Sequence, residues 1–163
     1  MSVLRVVLPT RRFTPALDGP SAALYVMVAA HGRLAKVGAL ESADNVERRL
    51  RRVKRDHRTR DDDPETYPLR VVLVGEIEGL VVGRYRWVDD GWVYDGGKAG
   101  FDQRWAEVEH LESAVRLSVA RRVGRVARWA DWIEVDRPPM TDTAWLTAFQ
   151  SSWLEVDQLG GSA

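Results

Sequence analysis

Ala23-Leu24-Tyr25-Val26-Met27, followed by Lys36-Val37-Gly38 and then by Arg48-Arg49-Leu50, is the stretch that decides how this chain folds. Residues 24–30 form an apolar run of strand length, Gly32-Arg33 has the composition of a tight turn, and residues 34–40 return as a second strand. Together they read as a β-hairpin. Such a hairpin turning near His31-Gly32 puts Tyr25 and Lys36 roughly opposite each other on one face. Gly38 leaves room there for a backbone or a ligand to approach closely.

The clearest helix follows, over residues 42–57. Asp44 and Glu47 have capping-box-like spacing, and Val46, Leu50, Val53 and His57 form one stripe. The rest of that helix is almost wholly Arg and Lys, with eight cationic residues in the 13 from Arg48 to Arg60. An acidic loop, Asp61 to Glu65, comes next.

Upstream, residues 3–8 read as a short strand ended by Pro9, and 10–20 as loop. Downstream, residues 69–77 are Val-rich and read as a buried strand. Residues 84–88 and 92–94 flank Asp89-Asp90-Gly91, a second hairpin signal with Asp-Gly at the turn. Gly96-Gly97 through Gly100 reads as loop. A second long helix runs from Gln103 to about Arg122, with an extension to Trp129 as the longer option. Trp105, Val108, Glu112, Val115 and Val119 share one of its stripes. After a break at Pro139, a short amphipathic helix over 142–153 packs on the domain, and the last few residues fray.

The expected fold class is therefore α/β in the α+β sense. A small antiparallel-type central sheet carries flanking helices, an extra β-hairpin and a helical C-terminal tail. The expected organisation is an N-terminal strand and loop (1–21), a core domain (22–130, hairpin 84–94 inserted) and a C-terminal helical extension (131–163).

The 163 residues suit one domain, and seven Trp supply ample apolar surface for its core. Cys is absent, which removes disulfides and thiolate chemistry and fits a cytoplasmic protein. No apolar run approaches the roughly 18 residues needed to span a bilayer, so no membrane partner is expected. The 24 basic and 24 acidic residues balance, and only three of the basic ones are Lys. The balance is global, not local, because the basic block sits on one helix.

Two features carry candidate chemistry. Glu112 places a carboxylate in an apolar helical stripe. Burying it alone is expensive, so it is ion-paired to an Arg, protonated or bound to a cation. The basic helix either grips phosphates, with counterion release supplying affinity, or is a solvated surface balanced by the acidic loop. His57 closes that helix and His110 lies near Glu112, but neither has a spacing that argues for catalysis.

Taken together, these residues resemble the GIY-YIG nuclease superfamily over roughly residues 22–122. The first family motif falls on Ala23-Leu24-Tyr25 and the second on Lys36-Val37-Gly38. Tyr25-Val26-Met27 and Lys36-Val37-Gly38 are most similar to the branch written Tyr-Val-Met and Lys-Ile-Gly, found in phage and fungal members. The first motif here lacks its Gly, and Lys stands where most members have Tyr. The family's helical Arg aligns with Arg49, with Arg48 as the second choice, and its metal-binding Glu aligns with Glu112.

The resemblance implies a metal-dependent DNA endonuclease with Tyr25, Lys36, Arg49 and Glu112 as catalytic residues. Glu112 would bind one Mg²⁺ or Mn²⁺ ion, and Gly38 would be structural in the site. Tyr25 would orient or deprotonate water, with Lys36 lowering its pKa. Arg49 would stabilise charge on the phosphate. Arg48, Arg51, Arg52, Lys54 and Arg55 would grip the DNA backbone. Two other readings compete: an inactive module of the same scaffold that binds DNA or a protein, and a small-molecule enzyme with a pocket lined by Trp87 and Trp92. Exposed Trp near the C-terminus would mark a homodimer face.

Overall fold

Side-chain alternation along β2 (Ala23–Ala29) and β3 (Leu34–Leu40) divides the interior into two apolar clusters, one on each face of a single sheet. The computed structural model describes residues 3–13, 20–58, 69–83, 85–94, 98–128 and 131–160. The remaining strands of that sheet are β1 (Leu4–Leu8), β4 (Leu69–Ile77), β7 (Gly124–Val126) and β8 (Trp132–Val135). Their order is β1-β4-β2-β3-β8-β7. Every pairing is antiparallel except β1 with β4, which is parallel, so the sheet is mixed and not wholly antiparallel.

On one face, Leu24, Val26 and Val28 of β2 meet two helices, α2 (Lys98–Val123) and α3 (Asp142–Gly160). Val108, Leu111, Val115 and Val119 point in from α2, and Trp145, Phe149, Trp153 and Val156 from α3. Both sets recur at helical spacing. The two helices are also joined by Glu155, which accepts from Ser118 Oγ at 2.7 Å and pairs with Arg121 and Arg122. Trp153 Nε1 donates to Pro9 O at 2.6 Å, and Asp157 accepts from Thr10 Oγ1 at 2.8 Å. These bonds tie α3 to the chain leaving β1. Trp145 and Trp153 are therefore core residues, only 1% exposed, and not the exposed dimer face expected from sequence. Truncating either would cost about 3–5 kcal/mol.

On the other face, Ala23, Tyr25 and Met27 meet α1 (Val46–Arg58) through Val53, with Val46 and Leu50 beside it. The helix start differs from the expected capping box. Ser42 Oγ accepts from Asp44 N and opens a 3₁₀ turn, Ala43–Asn45, ahead of α1. Gly32 turns the β2–β3 hairpin with φ +72, a conformation that favours glycine.

A separate hairpin pairs β5 (Tyr85–Val88) with β6 (Gly91–Tyr94). Its turn residues are Asp89 and Asp90, both with positive φ, rather than Asp90 and Gly91. Trp87 and Trp92 are register partners there. α2 starts at Lys98, so Gly100 lies in its first turn and not in a loop. β7 and β8 were not foreseen in the sequence, and β8 belongs to a segment read as a helical tail. Gly96-Gly97, Trp129, the acidic stretch 61–65 and the side chain of His57 lie outside the described residues. No helix among the described residues is long and apolar enough to cross a membrane.

Candidate active site

The hairpin sets the geometry of the site. Tyr25 is paired with Gly38, and Lys36 with Met27, so Lys36 stands diagonal to Tyr25 on the same face rather than opposite it. A Cβ at Gly38 would fall 2.1 Å from Tyr25 Cζ and 2.2 Å from its hydroxyl oxygen. The absent side chain is what lets the tyrosine ring lie across β3.

Tyr25 is fully buried, and among the described residues its hydroxyl is approached by Arg49 without a well-formed hydrogen bond. Burial pushes its pKa up to about 12, against the opposing pull of Arg49, whose guanidinium lies beside the hydroxyl. Glu112 raises it further and Arg116 lowers it. Tyr25 therefore holds its proton at neutral pH, and the cation beside it is Arg49. This corrects the expectation that Lys36 depresses the tyrosine, because desolvation outweighs the neighbouring charges.

Lys36 is itself mostly buried, with its side chain 17% exposed. Desolvation lowers its pKa, while Asp131 and Glu112 raise it. Its Nζ is 3.9 Å from Asp131 Oδ2 and 5.7 Å from the ring centre of Trp132. Both contacts come from β8 and the residue before it.

Glu112 and Arg116 enter from α2, on the flank that borders β3. β8 pairs with Leu34–Lys36 only. Beyond that point Arg116 Nη2 donates to Val37 O at 3.2 Å, taking up a carbonyl of β3. The same nitrogen forms a tight ion pair with Glu112 Oε1, one helical turn away. Glu112 is 21% exposed and Arg116 12%, so the carboxylate is partly open and paired, not sealed in the core.

All four residues singled out from sequence are brought together. Tyr25 feels Arg49 and Glu112, and Lys36 feels Glu112 and Arg49. Sequence reasoning missed Arg116 and Asp131. Arg116 was findable, since it lies four residues from Glu112 on a helix. Asp131 had no local signal, because its position depends on β8 joining β3.

Arg49 also borders a groove of about 240 Å³. Arg48 and Arg52 of α1 line it with Arg49, and Phe101 and Trp105 of α2 line it too. Arg51 and Arg55 are exposed elsewhere on α1, and Lys54 is half-buried. His110 is exposed on α2. Among the described residues, no three His, Asp or Glu side chains gather as a metal-binding group.

A scan of protein-family models gives no match to this chain. Searches of curated proteins and of solved structures give no significant match either.

Proposed function

We propose that this chain is a metal-dependent DNA endonuclease that hydrolyses phosphodiester bonds at the Tyr25, Lys36, Arg49 and Glu112 cluster. The observation that carries the reading is the convergence of these four side chains from β2, β3, α1 and α2 on one place. Lys36, Arg49 and Arg116 stand there around Glu112, with Asp131 beside the lysine and the buried Tyr25 hydroxyl next to Arg49. Such a set suits a phosphate. The likeness of the motifs to GIY-YIG nucleases supports the same choice.

One Mg²⁺ or Mn²⁺ ion fits this donor set if it arrives with a phosphate. Mg²⁺ commonly uses one or two protein carboxylates and completes its shell with waters and substrate oxygens. Glu112 would hold it, and the bound phosphate would offset the positive charge of Lys36, Arg49 and Arg116. When bound, the ion supplies charge neutralisation on the reacting phosphate.

The chain's own groups divide the remaining work. Arg49 donates to the phosphate and stabilises the charge that grows on it. Tyr25, protonated and with its hydroxyl buried against Arg49, holds that guanidinium in place, and it would donate to a water or phosphate oxygen only once the substrate draws Arg49 aside. Lys36 holds a proton near the same place. A water oxygen bonds to phosphorus and releases one proton to the surrounding water, the bond to one sugar oxygen breaks, and that oxygen takes up one proton in exchange. Arg48, Arg51, Arg52, Lys54 and Arg55 would hold the strand by its backbone.

The Glu112–Arg116 ion pair favours one other reading, a scaffold that binds DNA without cutting it. A cleavage assay on plasmid and single-stranded DNA, titrated with Mg²⁺ and Mn²⁺, separates the two. The endonuclease reading expects cleavage by the wild type and a loss of at least about 100-fold in Glu112→Ala. Equal rates for the two proteins sink the assigned site, and DNA binding without cleavage at any metal concentration supports the binding module.

A further inference from the structure

The groove beside Arg49 has two unlike walls. Arg48, Arg49 and Arg52 make one, and Phe101 and Trp105 make the other. Phe101 and Trp105 are four residues apart on α2, so they share a face, and both are partly exposed. Glu41 and Asn45 add polar atoms to the lining. The volume of about 240 Å³ lies just below the range usual for drug-sized ligands. It suits one flat aromatic group rather than two.

An aromatic wall facing guanidinium groups is the arrangement that stacks a base and holds its phosphates. The groove is continuous with the polar cluster through Arg49, which lines the first and acts on Tyr25 in the second. Trp105 stands two helical turns before Glu112 on the same side of α2, roughly 10 Å along its axis. A base in the groove would thus belong to a nucleotide close to the phosphate held by Arg49.

We propose that this groove takes one unstacked nucleobase of a DNA strand, stacked on Trp105 and Phe101, with neighbouring phosphates on Arg48 and Arg52. A base inside an intact duplex cannot reach it without leaving the stack, which costs energy. The substrate favoured at the site is therefore a single strand, or a duplex already opened at that position. This inference rests on the reading that the polar cluster holds a phosphodiester.

The test uses fluorescently labelled oligothymidylate and a strand of the same length whose central residues are abasic, with EDTA present to prevent cleavage. The wild type should bind the base-bearing strand roughly ten-fold more tightly. Trp105→Leu should remove that preference while leaving affinity for the abasic strand unchanged, with circular dichroism checking the fold. Phe101→Leu should halve the preference or more, a second readout if Trp105→Leu does not fold. Equal binding of the two strands by the wild type, or a preference that survives both substitutions, overturns the proposal. Cleavage of the same strands in Mg²⁺ is scored separately. Cleavage without base preference removes the groove assignment and keeps the nuclease, whereas base preference without cleavage does the reverse.

Discussion

Tyr25 packs over Gly38 so closely that a methyl group on the glycine would stand 2.1 Å from the ring carbon bearing the hydroxyl. The ring is buried on all sides and cannot step aside cheaply. Gly38→Ala should therefore cost roughly 1–3 kcal/mol of stability, the usual range for overpacking. Thermal unfolding would show it as a lower Tm, and DNA cleavage should fall with it because the hydroxyl is displaced. An unchanged Tm would mean that the ring does not occupy this position.

The raised pKa of Tyr25 has a direct spectroscopic signature. Its folded value of about 12 exceeds the ordinary 10, so the folded state retains the proton longer. The stability linked to this group is fully present below pH 10 and is lost as pH rises through about 12. Tyrosinate absorbance of the wild type minus that of Tyr25→Phe should show no component near pH 10 and one that titrates later. A difference curve centred at pH 10 would contradict the burial of the hydroxyl.

If Glu112 holds a divalent cation as proposed, Arg116 competes with that cation for the same carboxylate. Arg116→Gln should raise the affinity of Mn²⁺ for the DNA-free protein by roughly five- to ten-fold, since one charge-assisted hydrogen bond no longer has to be broken. Calorimetric or electron paramagnetic resonance titration reads this without any turnover. Glu112→Gln should abolish the same binding. If Mn²⁺ binds both variants as it binds the wild type, Glu112 is not a metal ligand.

The exposed cations of α1 make a claim about salt. DNA affinity should fall steeply between low and physiological ionic strength, because bound phosphates release counterions. Arg51→Ala and Arg55→Ala, both at exposed positions, should each lower the slope of log affinity against log salt by about one. A slope unchanged in both would place the DNA on another surface.

The part of the fold legible in the sequence is the part governed by local pattern. β3 and β4 occupy the ranges read from hydrophobic runs and turn residues, and of the α1 stripe Val53 is buried with Val46 and Leu50 partly buried beside it. What escaped depends on distant contacts. β7 and β8 are three and four residues long and are strands only because they pair with each other and, through β8, with β3. The first turn of α2 contains Gly100, a poor helix former. Packing of Phe101 and Trp105 on the core overrides that preference.

The site follows the same division. Tyr25, Lys36, Arg49 and Glu112 could be named from spacing and motif, and they converge. Their electrical relationships could not be named. Which cation sits against Tyr25 depends on the side-chain positions of α1, and the partner of Lys36 is supplied by Asp131, nearly a hundred positions away.

Because β8 covers only the first half of β3, the last fifth of the chain acts as a buttress for the hairpin that holds Tyr25 and Lys36. A protein shortened after residue 130 would bare a row of unsatisfied amides along β3 and strip Asp131 and Trp132 from the lysine. Such a raw margin invites a neighbouring molecule to add its own strand. Trimming this chain to the outline of its motifs would thus yield a sticky fragment instead of a minimal domain.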